Sequence, residues 1–153
     1  MNKPYFIVTS LLAVALPFAG FTGEHLVAHV PYTFPLFAKW FLFSAVGLRL
    51  LFAGLRQALL PEAAARKISG MQTEEILPVV QELGFAKLCF GLLAIFSWWK
   101  PEWRMVAAFT SGIYFGLAGL RHLVKPKVNS NERFTLWIDL LTFGLLSAFY
   151  LGR

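Results

Sequence analysis

Cysteine occurs once, at Cys89, which excludes an intrachain disulfide and a CxxC redox pair. Its place inside an apolar run marks it as a packing residue, because reactive thiols need an electropositive, partly exposed site. Charge is scarce as well: 14% of the 153 residues are charged, against about 25% in ordinary soluble domains. Catalytic templates are missing too. The chain has no HExxH motif, no Walker loop and no Ser-His-Asp constellation with supporting glycine turns, so it points away from an enzyme. His25 and His29 fall on one side of the expected membrane and His122 on the other, which argues against a bis-histidine haem. No internal repeat, no low-complexity tract and no cofactor signature can be read.

What is abundant is apolar. Hydrophobic residues make up 58% of the chain, with sixteen Phe and five Trp, and the mean hydropathy is +0.63. A bilayer core about 30 Å thick needs roughly 20 apolar residues per helix. Five runs meet or approach that length: 4–22, 34–57, 81–99, 103–122 and 134–151. The expected fold is therefore a single all-α integral membrane bundle of five transmembrane helices, whose main partner is the lipid bilayer. Four would be left if the first segment, which resembles a signal peptide ending near Ala19-Gly20, were cleaved. A retained helix kinked at Pro17 is the favoured expectation.

The basic residues sit mainly at the ends of apolar runs, so the net charge of +6 reads as orientation chemistry and not as a nucleic-acid surface. Lys3, Arg56, Arg66, Lys67, Arg121, Lys125, Lys127 and Arg133 fall on one side. Lys100, Arg104, Arg153 and Lys39 fall on the other. The asymmetry places the N-terminus in the cytoplasm and the C-terminus outside a bacterial inner membrane. Lys100-Pro101-Glu102 reads as a tight turn between antiparallel neighbours, with Trp98, Trp99 and Trp103 as an interfacial belt. The long connection, 61–80, is expected in the cytoplasm. It contains a short helix from Pro61 to Lys67 ended by Gly70, and Thr73 as the cap of a helix that begins near Glu74. Small residues at Ala108, Gly112, Gly116 and Gly119, and at Gly84 and Gly91, mark close helix contacts. Intramolecular packing is the expected use of these stripes, with a homo-oligomer seam as the alternative.

Ionisable residues inside the runs carry the functional expectation. Counted at about 1.5 Å per residue from the boundaries at Gln57, Arg133 and Gln81, Arg49 lies roughly 10–12 Å deep, and Asp139 and Lys87 about 9 Å. Glu82 sits at the rim, with Arg56 and His122 at the mouth. Opposite charges at one depth can neutralise one another, which makes their burial tolerable. The expected site is thus Arg49, Arg56, Glu82, Lys87, His122 and Asp139. It serves either as a static ionic staple or as a cavity for protons, ions or an anionic small molecule. A second cluster, Glu24-His25 with His29, places two imidazoles at i, i+4, a spacing that can bind Zn²⁺ or Cu²⁺. A polar interfacial turn before Pro31 is the plainer account of the same residues.

From about Leu36 to Leu151 the chain resembles an uncharacterised bacterial family of small membrane proteins that is distantly DoxX-like. The resemblance rests on Pro61-Glu62-Ala63-Ala64, on Glu82-Leu83-Gly84-Phe85-Ala86-Lys87-Leu88-Cys89-Phe90-Gly91, on Gly112 to Gly119 with His122, and on Trp137-Ile138-Asp139. Lys87 stands where that pattern has Asn, Arg56-Gln57 where it has Gly-His, and the first span is additional. The resemblance implies a membrane role associated with a quinone or with redox chemistry. Three roles follow from the sequence: small-molecule or ion binding or permeation, a non-catalytic subunit of a larger membrane complex, and a quinone-linked accessory protein.

Overall fold

A computed structural model describes residues 3–69, 74–125 and 129–152, and all regular structure in them is helical. We number the helices α1 (Lys3–Ala28), α2 (Phe34–Leu59), α3 (Pro61–Ser69), α4 (Leu77–Phe96), α5 (Arg104–Leu123) and α6 (Ser130–Leu151). Four of them, α1, α2, α4 and α6, are long and apolar enough to cross a membrane. The fifth long helix, α5, falls short of that apolar character: Gly112, Gly116 and Gly119 lie in it, and it ends in Arg121 and His122.

Contacts at both ends fix the alternation of direction. Tyr5 Oη and Thr135 Oγ1 share a 2.8 Å hydrogen bond, and Phe6 packs on Phe134, so α1 and α6 begin together. Phe34 packs on Phe149, so α2 begins where α6 ends. Each helix start has a local cause. Thr33 Oγ1 accepts a hydrogen bond from the Leu36 amide at the start of α2. Asn129 and Glu132 form a reciprocal capping box on α6. Proline occupies the first turn of α2 and of α4, where its missing N–H costs nothing.

Two departures from the α-helix position everything else. In α1 a π-helical turn spans Leu11–Ala15, and the Leu16 amide bonds five residues back to the Leu11 carbonyl. Pro17 follows immediately and cannot satisfy the Ala13 carbonyl, so the widened turn accommodates it without breaking the helix. In α2 a π-helical stretch spans Leu42–Leu48, ending where the Arg49 amide bonds back to the Ser44 carbonyl. The two stretches lie against each other, and the fully buried Ser44 hydroxyl donates to the Leu12 carbonyl at 2.6 Å. The first helix also runs past the expected 4–22 to Ala28. Glu24 and His25 are therefore helical residues, and the chain breaks at His29, whose φ of 53° is left-handed.

Helices α2 and α4 pack through glycine. A Cβ on Gly54 would stand 2.8 Å from the Gly84 carbonyl oxygen, and one on Gly91 would stand 2.8 Å from the Leu51 amide. The stripe on α5 faces α6: Gly116 receives Phe143 and Gly119 receives Leu140. The expected small-residue stripe is thus used inside one molecule. The core between these pairs contains Leu42, Val46, Ala107, Phe115 and Leu146. Many large apolar side chains point outward instead, including Ile7, Val27, Leu117 and Trp137, as a surface in contact with acyl chains requires. The expected cap Thr73 and helix terminator Gly70 lie outside the described residues.

Candidate functional site

Arg49, Lys87 and Asp139 come from α2, α4 and α6, each about 13–15 Å along its helix from the shared lower end at ~1.5 Å per residue. Arg49 Nη2 donates to Asp139 Oδ1 as an ion pair, with side chains only 14% and 6% exposed. The guanidinium carbon lies 4.5 Å from the centre of the Phe115 ring, so α5 supplies an aromatic face to the same cation. Lys87 is within electrostatic reach of both Asp139 and Arg49. It shares the inward face of α4 with Gly84 and Gly91, at i, i+3 and i+7. His122 also acts on Asp139, and on Glu132 at the foot of α6, while Tyr114 feels Asp139 and Arg49.

The hydrogen bonding of this layer is incomplete. Arg49 Nη1 and Ser111 Oγ are buried and meet no hydrogen-bond partner among the described residues. One carboxylate also faces two cations. Glu82, expected at the rim of the site, is exposed on the outer face of α4 and adds no second carboxylate. Five residues separate it from Lys87, which turns the two side chains to different sides. Arg56 is likewise exposed, since Gly54 and Gln57 occupy the face of α2 that packs on α4. Neither Glu82 nor Arg56 joins the layer.

At the opposite end the structure assembles a second group that sequence reasoning did not bring together. Glu24 accepts both oxygens' hydrogen bonds from Lys39 Nζ, at 2.6 and 2.7 Å, and one from Trp40 Nε1 at 2.8 Å. Lys39 Nζ lies 4.3 Å from the Trp98 ring centre, and the Trp40 ring rests on Gly20. This clamp ties α1, α2 and the end of α4. It also occupies the carboxylate that the sequence places beside His25 and His29. His25 stacks on Tyr32, and its Nδ1 contacts the Val30 carbonyl oxygen at 2.7 Å. The left-handed turn at His29 breaks the i, i+4 spacing. Among the described residues no three His, Cys, Asp or Glu side chains converge on a metal position. Of the belt tryptophans, Trp98 is drawn inward onto Trp40 and Phe43, while Trp99 and Trp103 are exposed.

A groove of about 260 Å³ opens between α5 and α6, lined by apolar groups such as Phe109, Ile113, Phe143 and Tyr150, and includes neither Arg49 nor Asp139. The chain is thus an all-helical bundle with membrane-compatible surfaces and a buried ionic layer. It belongs to the family of unknown function DUF6790, whose model matches residues 3–151. No curated protein and no solved structure matches it.

Proposed function

We propose that this protein binds a small anion inside the membrane, in the layer of Arg49, Lys87 and Asp139. The observation that carries the reading is the spare binding capacity of Arg49: one terminal nitrogen holds Asp139, while the other is buried and unpartnered among the described residues. Lys87 adds a second cation against the single carboxylate. An uncompensated charge in a low-dielectric interior costs several kcal/mol, and a bound anion removes that cost. Asp139 aims the guanidinium and weakens its hold on the guest, which permits release and hence permeation. His122, between Asp139 and the foot of α6, marks the side of entry.

On this reading α5 crosses the bilayer with the other long helices. The N-terminus and 61–80 face the cytoplasm of a bacterial cell, supported by the excess of basic residues at that end. The DoxX-like resemblance supports the bacterial inner membrane as the location.

Thermal unfolding in nanodiscs of zwitterionic lipid tests the reading, with chloride or acetate titrated against bulky gluconate. A site filled to 100 times its Kd stabilises the protein by about 2.7 kcal/mol, and Arg49→Gln should abolish the shift. A wild-type protein indifferent to every small anion would make the layer a structural staple and overturn the proposal.

A further inference from the structure

The Arg49 layer has a second orphan, and it lies on the neighbouring helix. Ser111 is fully buried, 0% exposed, and its hydroxyl has no partner among the described residues. Most buried serines on helices bond back to a carbonyl one turn earlier, as Thr142 does to Ile138 on α6. Ser111 does not. It sits one turn above Phe115 on the face of α5 that meets the π-helical stretch of α2. Residues at i, i+4 have Cβ atoms about 5–6 Å apart, and the Phe115 ring carries the Arg49 guanidinium 4.5 Å from its centre. Two buried donors without partners among the described residues are thus both tied to Phe115, Arg49 through its ring and Ser111 through the helical turn that carries it.

Resting on the proposed anion site, we infer that its guest is a small monocarboxylate whose two oxygens bridge Arg49 Nη1 and the Ser111 hydroxyl. A carboxylate presents two acceptor atoms and a single charge. The single charge matches the surplus left when Asp139 is set against Arg49 and Lys87. A doubly charged oxyanion would bring one negative charge more than the layer can balance, among the apolar side chains of Leu42, Val46 and Ala107. Chloride offers one acceptor centre and would engage Arg49 without needing Ser111. The π-helical stretch just before Arg49 sets the register that turns this arginine toward α5 and α6.

The test uses the full chain in phosphatidylcholine nanodiscs, with [13C]acetate as probe and line broadening as readout. Acetate should bind saturably, formate should displace it, and sulfate should not. Ser111→Ala should weaken acetate at least tenfold, the equivalent of one hydrogen bond to a charged group at about 1.4 kcal/mol per decade. Its chloride binding should stay unchanged, which also reports that the variant is folded. Arg49→Gln should lose both anions. Equal acetate affinity in wild type and Ser111→Ala, or effective competition by sulfate, would overturn the bridge while leaving the anion site at Arg49 standing. Failure of the wild type to bind any anion, so that water alone serves the two orphans, would remove both.

Discussion

Arg49 on α2 and Asp139 on α6, 90 residues apart in sequence, meet as an ion pair beneath the aromatic face of Phe115. Their side chains are only 14% and 6% exposed. Each is stable there only because the other is present. The pair therefore fixes the rotation of both helices about their axes.

Removing one partner should be costly. Asp139→Asn keeps the shape but strands the guanidinium, and we expect a loss of about 3–5 kcal/mol. Arg49→Met should cost a similar amount by stranding the carboxylate. Reversible unfolding in mixed micelles measures both, and losses below about 1 kcal/mol would mean that the pair is solvated.

The glycine contacts give a second, sharply divided expectation. Gly54→Ala and Gly84→Ala each drive a methyl against backbone at 2.8 Å and should destabilise by about 1–3 kcal/mol. Gly144→Ala meets nothing within 4 Å on α6 and should be neutral or stabilising by about 0.5–1 kcal/mol. Similar losses at all three positions would contradict the close approach of α2 and α4.

Glu24→Gln should loosen the clamp at the other end. Its salt bridge with Lys39 is partly exposed, so the expected loss is modest, about 1 kcal/mol. The clearer readout is tryptophan fluorescence, because Trp40 exchanges a charged acceptor for a neutral one and Lys39 is released from its place over Trp98. Unchanged emission in the variant would show that Glu24 does not hold these rings.

Orientation is testable by labelling. In a Cys89→Ala background, a membrane-impermeant maleimide should modify Lys100→Cys on intact cells and Glu62→Cys only after permeabilisation. Both positions are exposed. The reverse pattern would invert the topology, and labelling of both from one side would overturn the number of crossings between them.

Much of the ionic layer was legible because helical rise is constant. Once apolar boundaries are drawn, the depths of Arg49, Lys87 and Asp139 follow by counting. Rotation about the helix axis was harder to read. Depth alone puts Glu82 at the rim of the site, yet the Gly84, Lys87 and Gly91 face excludes it, and that spacing is present in the sequence. The Glu24–Lys39 clamp also left a signal. Glu24 and Lys39 are nearly equidistant from Pro31, so folding α1 onto α2 about that connection brings them level. The π-helical stretch of α2 left none that we recognise, since Leu42–Leu48 contains neither proline nor any other residue that demands a widened turn. Ser111 carries no signal in the sequence, because a serine in an apolar helix can be satisfied by its own backbone.

The most direct test of the ionic layer is a double-mutant cycle over Arg49→Met and Asp139→Leu, read by unfolding free energy in micelles. The double variant should regain most of what either single variant loses, with a coupling of at least about 1.5 kcal/mol. Losses that add within about 0.5 kcal/mol would show that the two side chains do not interact, and the account of the site would fail.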